Sequence, residues 1–137
     1  MCIRDRHCHP RIIKVLKEQA DQLTLTSRAF YSDALGEFEE YTTQLFGYDK
    51  LLPMNTGAEA TETAVKLTRR WGYDVKGIPR YQAKLVFAEG NFHGRSVMAV
   101  TASTDPESYE GYGPFVPNCL TIPYDDLPAL EVCVCVS

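Results

Sequence analysis

Two short segments, about thirty residues apart, hold the residue types that can do chemistry. The first, Met54-Asn55-Thr56-Gly57-Ala58-Glu59-Ala60, runs into a helical pattern. The second, Gly90-Asn91-Phe92-His93-Gly94-Arg95, follows an apolar strand pattern. Each reads as a strand–loop–helix junction with small or polar residues where an anion can be held. A helix N-terminus offers free backbone N–H groups and the positive end of the helix dipole, so the first junction reads as a phosphate site. The second places an aromatic ring, an imidazole and a guanidinium side by side. A planar phosphorylated cofactor needs this combination: an anion cradle, a ring to stack on and a cation for a carboxylate.

The elements that must position these groups follow from periodicity. Apolar residues at Ile12, Ile13, Leu16, Ala20 and Leu23 predict a helix over 10–24, with Pro10 suited to its first turn. Leu35, Phe38, Tyr41, Thr42, Leu45 and Phe46 predict a second helix over 33–46, with Gly47 as its C-cap. Residues 51–54 read as a short strand. Ala60, Ala64, Leu67, Thr68 and Trp71 predict a strong helix over 57–72, stopped by Gly72, with a Glu62–Lys66 pair on its outer face. A strand is expected over 84–88, a helix over 95–102, a long surface loop over 104–117 and a third strand over 120–124. This alternation predicts an α/β fold with a parallel sheet.

Composition narrows the function classes. The 137 residues are 45% hydrophobic and 23% charged, enough for a real core. The net charge is −4 and no basic stripe is present, which argues against nucleic-acid binding. No apolar run approaches a membrane span, and the opening residues lack a secretory apolar stretch. Five cysteines, an odd number without a regular framework, point to a reducing, intracellular setting. Cys2, His7, Cys8 and His9 lack the spacing of a zinc site, so no metal is expected.

Both ends differ from the body. Asp125, Asp126 and Pro128 open a helix, yet Val132-Cys133-Val134-Cys135-Val136-Ser137 switches to β-branched, alternating character. Residues 1–6 and 132–137 are therefore expected to be foreign to the chain's true sequence.

From His7 to Glu131 the chain resembles the N-terminal part of the ornithine aminotransferases, which are class III, fold type I pyridoxal-phosphate enzymes. The resemblance lies in His7-Cys8-His9-Pro10, Leu25-Thr26-Ser27-Arg28-Ala29-Phe30-Tyr31, Leu52-Pro53-Met54-Asn55-Thr56-Gly57, Trp71-Gly72-Tyr73, Gly90-Asn91-Phe92-His93-Gly94-Arg95, Ser103-Thr104-Asp105-Pro106, Gly113-Pro114-Phe115 and Asp126-Leu127-Pro128-Ala129-Leu130-Glu131. It implies an incomplete fold type I large domain, with a parallel-type sheet flanked by helices. A helical segment over 7–48 would precede it, and residues 49–131 would begin the cofactor domain.

The resemblance also implies roles. Thr56, Gly57 and Ala58 would hold the phosphate of pyridoxal 5'-phosphate, and Phe92 would stack on its ring. Arg95 and Tyr31 would recognise a substrate carboxylate, and His93 would form a pocket wall. Without a relative to guide the reading, an ordinary N-capped helix, a core aromatic, a surface ion pair and an interface tyrosine remain open for these positions. Glu59 and Glu62 read as helix-surface or dipole charges. Thr61 departs from the family pattern, which usually has Gly or Asn there.

The lysine that forms the cofactor's aldimine lies far downstream in the family. None of Lys14, Lys17, Lys50, Lys66, Lys76 or Lys84 stands in its motif, so no catalytic residue is expected within this chain. The implied reaction moves the δ-amino group of ornithine to 2-oxoglutarate, giving glutamate semialdehyde and glutamate, in a homodimer of the cytosol or mitochondrial matrix. Acetylornithine or an ω-amino acid as donor is an alternative. Another is a non-catalytic phosphate-binding α/β module, although neither a Gly-x-Gly-x-x-Gly nor a Gly-x₄-Gly-Lys-Ser/Thr signature is present.

Overall fold

The computed structural model describes residues 6–27 and 29–135, with the side chains of 134 and 135 left aside. Residues 1–5, 28, 136 and 137 lie outside the described residues. So do most of the expected foreign N-terminal end, Cys2 of the rejected zinc group and Arg28 of the Ser-Arg-Ala motif. The chain divides into two compact units, Met1–Leu52 and Pro53–Ser137.

The first unit holds two helices. Helix α1 spans Pro10–Gln22, with Pro10 in its first turn, where a missing N–H costs nothing. Helix α2 spans Asp33–Phe46 and ends as expected, on Gly47 in the left-handed conformation with φ 70°. The apolar stripe of α2 is open to solvent: Phe38, Tyr41, Leu45 and Phe46 are all more than half exposed.

The second unit is built on an α/β plan. Helix α3 spans Gly57–Asp74, strand β1 Leu85–Ala88, helix α4 Val97–Thr101, helix α5 Pro106–Tyr109, strand β2 Cys119–Ile122 and helix α6 Leu127–Cys135. β1 and β2 pair in parallel, with Leu85 opposite Cys119 and Ala88 opposite Ile122. The chain returns to the same end of the sheet through α4 and α5, as a parallel pair requires. The core lies around α4. Met98, Ala99, Val100 and Ala102 are buried there, joined by Val65 of α3 and by Ala83 just before β1.

Several expectations are corrected. Residues 51–54 form no strand, because no neighbouring chain pairs with them among the described residues. Gly72 does not stop α3, which continues to Asp74. It is buried, and a Cβ there would meet Ile78 Cδ1 at 3.3 Å, so its smallness serves packing. The i, i+4 ion pair of α3 joins Arg70 to Asp74; among the described residues Glu62 and Lys66 make none. The helix expected over 95–102 is shorter, starting after the Ser96 cap. The loop expected over 104–117 contains α5, capped by Asp105 and opened by Pro106. Helix α6 runs on to Cys135, past the expected break near Glu131. Asp126 accepts a hydrogen bond from the Ala129 N–H at 2.9 Å and caps it. Once a helix is nucleated, a Val or Cys costs only about 0.5 kcal/mol relative to Ala, too little to end it.

Ala102 is fully buried. Ala102→Leu in the full-length protein containing this chain should therefore lower stability by about 1–3 kcal/mol through overpacking. An unchanged thermal or urea midpoint would show that the α4 core has room the structure does not reveal.

Candidate functional site

The first part of the site is the opening turn of α3. Thr56 is extended, with φ −142° and ψ 161°, and its hydroxyl oxygen accepts from the Glu59 N–H at 3.1 Å. Its carbonyl accepts from the Ala60 N–H at 3.0 Å. These bonds use two of the donors at the helix start. The N–H groups of Gly57 and Ala58 make no hydrogen bond among the described residues. They point, with the helix dipole, toward whatever lies beyond the N-terminus. A Cβ on Gly57 would meet nothing within 4 Å, so the space over this turn is open.

The second part is the loop that leaves the carboxyl end of β1. Asn91 organises it. Its side-chain amide donates to the Ala88 carbonyl at 2.6 Å and to the Ala102 carbonyl at 2.8 Å, tying the end of β1 to the end of α4. With the nitrogen committed to two carbonyls, the amide oxygen faces His93 Nδ1 at 2.8 Å. That nitrogen therefore carries the proton. The imidazole also stacks on Phe87 of β1, with centroids 5.0 Å apart and planes 7° from parallel. His93 Nε2 is buried and has no partner among the described residues.

The two parts touch. Gly94 has φ 132°, a conformation that favours glycine. A Cβ there would lie 3.8 Å from the Ala58 Cα and 3.5 Å from the Ala99 Cβ. The Thr61 hydroxyl, one turn into α3, donates to the His93 carbonyl at 2.8 Å.

Between the parts lies a cleft of about 560 Å³. Of the residues singled out in the sequence, Gly57, Ala58, Phe92, His93 and Arg95 line it; Thr56 is not among the lining residues and precedes them as the cap of α3. Phe92 is 77% exposed, so its ring faces outward rather than into a core. Arg95 is exposed and makes no ion pair among the described residues. It also borders a second cavity of about 340 Å³, with Glu107 and Tyr112. Tyr31 belongs to the first unit and is fully exposed. Two residues escaped the sequence reading of the site. Asn91 stood in a quoted motif without a role, and Thr61 was seen only as a departure. The Thr61–His93 bond spans 32 positions, which no local pattern reveals.

The arrangement can take an anion at a helix start, a flat ring against Phe92 and a carboxylate at Arg95. It has no built metal centre: no group of His, Cys, Asp or Glu among the described residues is arranged to hold an ion. No helix among them is long and apolar enough to cross a membrane. Cys119 is held above the ordinary thiol range by burial, partly offset by the Arg69 charge.

The profile of the family described as Aminotransferase class-III matches residues 3–133. The chain belongs to this family. Its members are pyridoxal-phosphate-dependent transaminases of fold type I, and the partial α/β arrangement described above is that of their large domain. The chain is 68% identical over 125 residues to the mitochondrial ornithine aminotransferase of Rattus norvegicus, covering 91% of this chain and 28% of that protein. The solved ornithine aminotransferase of Toxoplasma gondii superposes with a TM-score of 0.89 at 47% identity, over 93% of this chain and 30% of that one. The acetylornithine aminotransferase of Elizabethkingia anophelis superposes with a TM-score of 0.73 at 53% identity, over 94% and 30%. The chain thus spans about a third or less of the length of the relatives it matches.

Asn91 makes a prediction possible without any ligand. Asn91→Ala strands two carbonyls and frees the His93 ring, so it should cost on the order of 1–3 kcal/mol in the full-length protein. Asn91→Asp should not rescue it, because a carboxylate cannot donate to Ala88 and Ala102. A melting midpoint unchanged in either variant would remove Asn91 from its organising place.

Proposed function

We propose that this chain is the N-terminal portion of an ornithine aminotransferase, which moves the δ-amino group of ornithine to 2-oxoglutarate and forms glutamate semialdehyde and glutamate. One observation carries the reading. The cleft joins a helix start with two N–H groups uncommitted among the described residues to an outward-facing phenyl ring and an arginine with no ion pair among them. The likeness to ornithine aminotransferases at 68% and 61% identity supports the choice of donor.

The residues present fit pyridoxal phosphate. Gly57 and Ala58 would donate to its phosphate at the start of α3, where the dipole favours negative charge. Thr56 would hold that turn in shape. Phe92 would stack on the pyridine ring, with His93 as a wall beside it. When bound, the cofactor supplies the electron sink for amino-group transfer. Arg95 would pair with a substrate carboxylate through its planar fork, and Tyr31 is proposed as a further substrate-recognition residue. The lysine that carries the chemistry is not among the lysines here, so these residues alone are proposed to be inactive. The complete enzyme is proposed to be a homodimer, and its apolar α2 face is of the kind a partner covers. Residues 7–48 would form the N-terminal helical segment and 49–131 the start of the cofactor domain. Of the two compartments, the mitochondrial matrix accords with the relatives named mitochondrial, and the cytosol is the alternative.

The likeness to an acetylornithine aminotransferase keeps that donor as the second reading. An assay of the full-length protein with ornithine, acetylornithine and an ω-amino acid separates them. Ornithine should be the preferred donor, and the 137 residues alone should show no turnover. Arg95→Ala should raise the substrate Michaelis constant about 10- to 100-fold, as expected for a lost charge-assisted pair worth roughly 1.5–3 kcal/mol, while leaving cofactor content intact. Loss of cofactor with unchanged substrate affinity would give Arg95 a structural role instead.

A further inference from the structure

We infer that Thr61 is a positioning residue whose hydroxyl sets the separation between the anion cradle at the start of α3 and the ring platform in the loop after β1. The inference rests on reading the cleft as a pyridoxal-phosphate site. A phosphorylated planar ligand must be gripped at both ends at once, so the distance between the two grips governs affinity.

A helical threonine ordinarily donates to the carbonyl four residues back. Thr61 lies 3.0 Å from the Gly57 carbonyl, its ordinary acceptor. The hydroxyl has one proton, and the His93 carbonyl is nearer, at 2.8 Å. The bond thus links the helix turn that holds Gly57 directly to the backbone beside Phe92. Thr61 itself lines the cleft. Other anchors hold the same loop, among them the Gly90 N–H donating to the Thr104 hydroxyl at 2.9 Å, but none does this work. Asn91 fixes it to β1 and α4. Gly94 permits close approach to Ala58 without bonding to it. Among the described residues, the Thr61 hydroxyl is thus the directional tie between the two grips.

The test uses the full-length protein containing this chain. Thr61→Val keeps the shape and removes the donor; Thr61→Ser keeps the donor. Each is titrated with pyridoxal phosphate and read by visible absorbance and by the circular dichroism of the bound cofactor. The apo forms are melted in parallel. Thr61→Val should weaken cofactor binding about three- to tenfold, the range of one net hydrogen bond, and change the dichroic band. Thr61→Ser should stay within about twofold of the unsubstituted protein, since it retains the bond. Thr61→Ala, read the same way, carries the comparison if the valine disturbs α3. Unchanged affinity and dichroism in Thr61→Val, with only a lower apo melting point, would overturn the inference and leave a helix-stabilising threonine. Serine as weak as valine would overturn it too. If the unsubstituted protein takes up no cofactor, the cofactor reading itself falls and takes the inference with it.

Discussion

The cleft exists because the loop after β1 lies directly on the opening turns of α3. This close approach is possible only where side chains are missing or small. Gly94 sits against Ala58 of α3 and Ala99 of α4. Larger side chains at these positions would push the loop off the helix and open the cleft into a flat surface. The parallel pairing of β1 and β2 brings the loop to this place. It directs the end of β1 toward the side where an α/β sheet presents its ligands. Asn91 then prevents the loop from swinging away, because its amide donates to the carbonyls of Ala88 and Ala102.

The rest of the molecule is lightly packed by comparison. The buried side chains are small or medium, and among the described residues no large side chain is fully buried. Apolar stripes on α1 and α2 stay open, and Trp71 is about half exposed. Hydrophobic burial is the main favourable term in folding, so a unit with this little of it holds its shape weakly. Such faces accord with the proposal that further chain and a partner subunit complete the fold.

Much of this was legible in the sequence, for identifiable reasons. The helices α1, α2 and α3 carry strong 3.6-residue periods, and Gly47 marks an end that only a left-handed residue makes easily. The parallel α/β plan followed from the alternation of elements. The cleft residues were found because both junctions carry chemically unusual neighbours. Failures came where a local signal has two physical meanings. Gly72 looked like a stop because glycine commonly ends helices, yet here its lack of a side chain makes room for Ile78. The apolar run at 51–54 looked like a strand, but a strand needs a partner, and a partner is never visible in its own sequence. The Val-Cys alternation at the end looked extended, but the Asp126 cap commits the chain to a helix before those residues are reached. Thr61 and Asn91 act across long sequence separations, beyond the reach of period or motif.

The central claim is that the start of α3 holds the phosphate of the cofactor. Gly57→Val in the full-length protein tests it most directly. A Cβ at Gly57 would have no non-neighbouring atom within 4 Å, so the substitution should spare the fold while filling the space over the N–H groups. Cofactor retention after dialysis, read by visible absorbance, should fall sharply while the apoprotein still melts cooperatively. Full retention of pyridoxal phosphate by a folded Gly57→Val protein would contradict the account.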